Sequence, residues 1–229
     1  MKIMKIVVLV VLAFTLACCS DQVVDEVIAA LKTELQSTNN RQRSYRKTIP
    51  IFWNEVYPAG GKTLYCSRDF DGGYHKQVNI EHVFPMSWVM KGLRCGDRNQ
   101  CRRNSERFRF IESDMHNMYP ALSEANKIRS AMAYGIIKGE RHLRLEMDPK
   151  CDFEVDFRKR RVEPTPSARG EIARAMLYMD DSYPELELFK RQRDMLIQWH
   201  KADRPSKLEK RRNDVIERLQ GVRNHWVDR

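Results

Sequence analysis

Apolar positions recur at helical spacing early in the chain, with Val24, Val27, Ile28, Leu31 and Leu35 on one face of residues 22–36. That spacing predicts an amphipathic helix. Further on, "TLYC" and "YHKQVNIEH" flank "SRDFDGG", whose Asp-Gly-Gly is a turn signal, so the pattern predicts a β-hairpin with Glu81 and His82 at the end of its second strand. "KGLRCGDRNQCRRN" shows no period and reads as a basic, polar loop. Residues 105–119 read as helix, and a second helix is predicted from Ala121 to Gly135. "VEPTPSARG" reads as a linker-like turn, and residues 168–222 as mostly helix broken at Pro184 and Pro205. There is no internal repeat and no low-complexity tract. The sum is an α+β chain, mostly helical, in a single domain around a small β-hairpin.

One apolar run is not part of that fold. Lys2 and Lys5 precede "IVVLVVLAFTLA", which is short for a bilayer span and reads as a secretory signal peptide over residues 1–19, leaving 20–229 as the folded domain. The run ends "TLACCS", where a small residue before Cys18 resembles a bacterial lipoprotein processing site and implies a lipid anchor at Cys18. Ordinary cleavage near Cys19 or Ser20 is the alternative. Either way the expected location is outside the cytoplasm: periplasmic, secreted or lipid-anchored, with no transmembrane helix in the mature protein.

Export changes the meaning of the cysteines. Cys66, Cys95, Cys101 and Cys151 remain after the leader, an even number for an oxidising compartment, which implies two disulfides. Three pairings are possible. The close spacing of Cys95 and Cys101 around "GDRNQ" favours a short staple there, leaving Cys66 with Cys151. A zinc site finds no support, because no pair has CxxC spacing. At 42% hydrophobic and 31% charged the 229-residue chain is globular rather than disordered. Its formal net charge of +10 suits a polyanion, either nucleic acid or an anionic membrane.

Candidate chemistry is densest between residues 79 and 129, where Glu81, His82, Arg98, Glu112, Asp114, His116, Asn117, Glu124, Asn126 and Arg129 crowd together. A zincin His-Glu-x-x-His is absent. The inverted motif would need a histidine where Val78 stands, and His75 lies three positions too early. Four ordered blocks, "NIEHVFPMSW", "RCGDRNQC", "IESDMHNMYPALSEANKIRS" and "CDFEVDFRKRRVEPTPSARGEIARAMLYM", resemble the bacterial endonuclease I family of exported DNases. The resemblance implies a ββα-metal (His-metal finger) nuclease core. By that resemblance His82 is the general base, Glu81 and Asn126 hold a single Mg²⁺, Arg98 holds the scissile phosphate beside the leaving group, and Glu112 supports the site. Mn²⁺ or Ca²⁺ would substitute in binding. The chain departs from the family at "SEANK", where the usual pattern is "GEVNG", and in lacking a second cysteine just after Cys66.

The residue types suit that chemistry. Mg²⁺ takes oxygen ligands and keeps several waters, so one carboxylate and one amide form a sufficient protein shell. Imidazole titrates near neutrality and accepts a proton from water readily. Neighbouring strand residues point to opposite faces, so Glu81 can serve a metal on one side while His82 serves the water on the other. The expected function is a monomeric, Mg²⁺-dependent endonuclease that cleaves DNA, with RNA as an alternative substrate, through phosphate contacts carrying little sequence information. Two other classes are a nucleic-acid-binding module without catalysis and a disulfide-stapled interaction protein. The intact set Glu81, His82, Arg98 and Asn126 separates the enzyme from both.

Overall fold

The computed structural model describes residues 44–73, 76–139 and 143–228. The expected leader with Cys18 and the expected 22–36 helix lie outside the described residues, as does His75. The described chain opens with helix α1 (Tyr45–Ile51), running into a π-helical turn at Phe52–Val56.

The predicted hairpin is not formed as expected. Strands β1 (Gly61–Lys62) and β2 (Asp69–Phe70) pair antiparallel with each other. Between them Thr63–Cys66 is a turn, closed by Ser67 N–H to the Thr63 carbonyl with Ser67 at φ 51°. The strand carrying Glu81 and His82 is β3 (Val78–His82), and its partner is β4 (Met118–Leu122), far along the chain. In that pair Glu81 faces Tyr119 and His82 faces Met118. "TLYC" reaches this hairpin through one bond, Leu64 N–H to the Pro120 carbonyl at 2.8 Å. Pro120 has no N–H of its own to offer a further strand, so it suits the edge position it occupies.

The helices also differ locally from the periodicity. The basic "loop" contains the end of α2 (Met86–Leu93) and all of α3 (Arg98–Asn104). A reciprocal capping box starts α3: the Asp97 side chain accepts from Asn99 and Gln100 N–H, and Gln100 accepts from Asp97 N–H. Each bond satisfies an N–H that the first turn of a helix leaves without a partner. The expected 105–119 helix ends early, as α4 (Glu106–Glu112), because Asp114 turns its carboxylate to His116 N–H and starts a separate 3₁₀ turn. The expected Ala121–Gly135 helix is confined to α5 (Ser123–Arg129), stopped at Ser130 with φ 50°. Beyond it, β5 (Ala133–Tyr134) runs parallel to β7 (Arg161–Glu163), which also pairs antiparallel with β6 (Glu154–Asp156).

The last third is helical as expected: α6 (Arg169–Ser182), α7 (Lys190–Ala202) and α8 (Lys207–Gln220), with Pro184 and Pro205 in the connections. Helix α6 is the spine of the core and buries Ile172, Ala173, Met176, Leu177 and Met179. Gly170 lets α6 approach the end of α7, since a Cβ there would lie 2.3 Å from Asp203 Oδ2. Both expected disulfides form, Cys66–Cys151 and Cys95–Cys101, with Cα separations of 4.9 and 5.0 Å. The fold is a mostly helical α+β domain in which β3, β4 and α5 form a ββα unit.

Candidate active site

Strand β3 sends Glu81 and His82 to opposite sides, and each meets a different set of partners. Glu81 is buried, 3% exposed. Its Oε1 accepts from the Tyr65 hydroxyl at 2.6 Å and from Arg129 Nη1 at 2.6 Å. Arg129 is wholly buried, and its Nη1 and Nη2 also donate to the same strand end, to the carbonyls of His82 (3.0 Å) and Val83. The Tyr134 ring lies beneath its guanidinium, 4.5 Å from the centroid, and the hydroxyls of Tyr134 and Tyr65 are 2.7 Å apart. Burial raises the Glu81 carboxyl above its ordinary range, while Arg129 and Tyr65 pull it back. Neither hydrogen bond from these two side chains falls on Oε2.

Asn126, on α5, is tied to the same strand. Its Nδ2 donates to Asn79 Oδ1 at 2.7 Å and to the Ile80 carbonyl at 3.2 Å. Those bonds engage the nitrogen and hold the Asn126 amide against β3 next to the residue that precedes Glu81. One carboxylate oxygen and one amide oxygen, both hard, fit a hydrated Mg²⁺. Among the described residues no three His, Cys, Asp or Glu side chains converge as a metal cage would require, so an ion here would be held by few protein groups.

On the other face His82 Nε2 lies 2.9 Å from the Glu112 carbonyl oxygen. A carbonyl can only accept, so Nε2 carries the proton and the lone pair sits on Nδ1. The ring packs against Tyr45, with centroids 5.1 Å apart. Burial is the main cause of a lowered imidazole pKa, about 4; Arg98 and Arg102 also lower it, against the Glu112 carbonyl and carboxylate, which raise it. His82 is therefore neutral at pH 7 and able to accept a proton. The Glu112 carboxylate is buried and holds two arginines: Arg98 Nε at 2.7 Å, and Arg102 through Nη2 at 2.8 Å and Nε at 2.9 Å. Both guanidiniums lie over Tyr45, at 5.7 and 5.5 Å. The Arg98 side chain is 41% exposed, so its terminal nitrogens reach solvent.

The structure thus arranges the five around β3: Glu81 and His82 on the strand, Glu112 joined to both His82 and Arg98, and Asn126 joined to Asn79 and Ile80. Asp114, His116, Asn117 and Glu124, dense in the same stretch of sequence, do other work. Asp114 accepts from Tyr178, Tyr183 and Gln220. His116 Nε2 meets the Val222 carbonyl, Asn117 clasps both backbone groups of Phe84, and Glu124 caps Glu146 and Met147 N–H. Sequence reasoning assigned no role to Arg129, Arg102, Tyr45, Tyr65 or Tyr134. Two of these carried a usable signal: Arg129 follows Asn126 at i+3 and Arg102 follows Arg98 at i+4, the spacings that place side chains on one helix face.

Residues 27–229 match the family described as Endonuclease I. Among characterised proteins, the chain is 32% identical over 220 residues to Endonuclease-1 of Buchnera aphidicola from Acyrthosiphon pisum, covering 83% of this chain and 86% of that one. It is 34% identical over 199 residues to a periplasmic deoxyribonuclease of Aeromonas hydrophila, covering 76% and 81%. It is also 25% identical over 211 residues to an extracellular ribonuclease of Bacillus subtilis, covering 85% of this chain and 62% of the other. Among the described residues no helix is long and apolar enough to cross a membrane. With a family match of that extent and relatives aligned over most of their length, the chain belongs to the endonuclease I family and is an exported nuclease.

Proposed function

We propose that the protein is a Mg²⁺-dependent endonuclease that hydrolyses DNA phosphodiester bonds with little sequence specificity, and that RNA is a second substrate. The observation that carries the reading is the two-sided strand end, with oxygen donors from Glu81 and Asn126 on one face and the Glu112-held His82 on the other. The names of the Aeromonas and Bacillus relatives supply the two substrate classes. Low specificity follows from a basic chain whose contacts would be to phosphate, which positions a nucleic acid without reading its bases.

Glu81 Oε2 and Asn126 Oδ1 would hold the Mg²⁺, with Arg129 and Tyr65 fixing the Glu81 carboxylate from Oε1. When bound, such an ion neutralises phosphate charge and stabilises the leaving oxygen. His82 takes the proton of the attacking water on Nδ1, its ring fixed by the Nε2 bond to Glu112. Arg98, anchored through Nε, offers its two remaining nitrogens to the phosphate in a charge-assisted contact. Glu112 positions both groups, through its carbonyl and its carboxylate.

The test is cleavage of supercoiled plasmid across a Mg²⁺ series by wild type, His82→Ala, Glu81→Ala and Arg98→Ala, with EDTA as control. Loss of the base costs about 10²–10⁴-fold in rate and is not recovered by metal. Glu81→Ala regains part of its activity at high Mg²⁺, and Arg98→Ala is slow at every concentration. Full cleavage in excess EDTA would remove the metal from the reading. Rescue of His82→Ala by Mg²⁺ would reverse the roles of the two neighbours.

A further inference from the structure

Away from the β3–β4 hairpin, two shallow depressions of about 400 and 450 Å³ lie between the three-stranded sheet and the start of α7. They share Ile136, Arg161 and Arg191, so they form one continuous trough. Lys138 and Lys159 complete its basic lining. Among the described residues none of these four cations forms an ion pair, whereas Arg107, Arg169, Arg174, Arg193 and Arg223 elsewhere all do. Asp156 also lines the trough, one carboxylate against four cations, so the groove keeps an excess of positive charge that can meet phosphate. Two large apolar side chains stand on the same trough: Phe189 at 84% exposed, and Ile136 at 49%. An aromatic face and an aliphatic one among unpaired cations match a chain of bases and phosphates, the combination by which single strands are bound without sequence preference.

We propose that this trough is a second nucleic-acid subsite that holds a single-stranded stretch of the substrate, with a base stacked on Phe189 and phosphates on Lys159, Arg161 and Arg191. The inference rests on the reading of the chain as a hydrolase of nucleic acids. The trough backs onto the active site through one side chain. Tyr134 lines it, and the Tyr134 hydroxyl bonds to Tyr65, which bonds to Glu81. A strand held there tethers a long substrate beside the cleavage site and raises its local concentration, an effect that appears in KM and needs no change in kcat.

The test uses Lys159→Ala/Arg191→Ala and Phe189→Ala. All three positions are exposed and none belongs to the proposed catalytic set. Binding of a labelled oligothymidylate of about 12 nucleotides is followed by anisotropy in EDTA, beside a duplex of equal length. Affinity of Phe189→Ala for the single strand should fall roughly fivefold or more. The double variant should lose about 1.4 from the log–log salt slope, about 0.7 for each phosphate contact removed. On long denatured DNA in Mg²⁺ both variants should raise KM with kcat kept, while cleavage of a tetranucleotide is unchanged. Wild-type affinity and slope in both variants would overturn the proposal, as would an equal loss on single strand and duplex. If the wild-type protein cleaved no nucleic acid, the proposed hydrolytic reading would fall, and the binding measurement in EDTA would still decide the trough by itself.

Discussion

Arg129 serves three acceptors at once, the Glu81 carboxylate and the carbonyls of His82 and Val83, from a position with no solvent access. Removing it strands a buried carboxylate and two carbonyls, so Arg129→Ala should cost about 3–5 kcal/mol in urea unfolding. Arg129→Lys should recover little of this, since an ammonium is a point charge and cannot span a fork of acceptors. Wild-type stability in either variant would mean that the strand end is held by something else. His82 carries a pH prediction. Its folded pKa of about 4 lies below the ordinary 6.5, so the unfolded chain binds more protons between those values. Stability from this group is therefore present above 6.5 and is lost as pH falls through about 4. Activity needs the neutral ring, so kcat/KM should hold through mildly acidic pH and fall as pH drops through about 4. A free-enzyme pKa near 6.5 in that profile would contradict the burial of the ring. At this scale the five proposed site residues were legible because they stand in ordered blocks. Arg129 and Tyr65 were not, because Tyr65 lies 16 residues and Arg129 48 residues from Glu81, and pairing across that distance leaves no local pattern.

The two disulfides tie down different elements. Cys66–Cys151 closes 85 residues and joins the turn before Ser67 to the segment leading into β6, while Cys95–Cys101 closes 6 and pins the start of α3. Chain entropy gives the long loop about 4.6 kcal/mol and the short one about 2.2 kcal/mol. Replacing both cysteines of the long bridge by serine should therefore lower unfolding free energy about twice as far as the same change in the short bridge. The short-bridge variant should instead slow cleavage, because α3 carries Arg98 and Arg102; equal stability losses with unchanged rates would contradict both statements. These pairings were readable from cysteine spacing. The strand partner of β3 was not. Residues 105–119 and 121–135 read as two helices, yet "MYPAL", which overlaps the end of the first and the start of the second, forms β4, because Asp114 and Asn117 spend their side chains on backbone groups and redirect the chain. The converse error, a loop where α3 stands, arose because a short polar helix has no apolar stripe to reveal it. Its Asp97-Gln100 capping box was the local sign that a period search passes over.

Across the whole molecule the +10 charge is distributed in two ways. Many arginines are neutralised within the fold: Arg174 by Glu209 in the core, Arg193 by Asp180 and Asp181, and Arg223 by Asp214, Glu217 and Asp228. Such residues release few counterions on binding a polyanion, because a carboxylate already occupies them. Lys138, Lys159, Arg161 and Arg191 in the trough form no ion pair among the described residues, and Arg98 shares the single Glu112 carboxylate with Arg102, so these five are among the cations that can exchange counterions for phosphate. Five such contacts give a log–log slope of about −3.5 for single-stranded DNA binding against salt. Arg98→Ala should make that slope shallower by about 0.7, whereas Arg223→Ala, though it removes the same formal charge, should leave it unchanged. Titrations in EDTA across a range of NaCl concentrations measure both. If Arg223→Ala flattened the slope as much as Arg98→Ala did, binding would follow the total charge of the exported protein, and the separation between neutralised and available arginines would carry no functional weight.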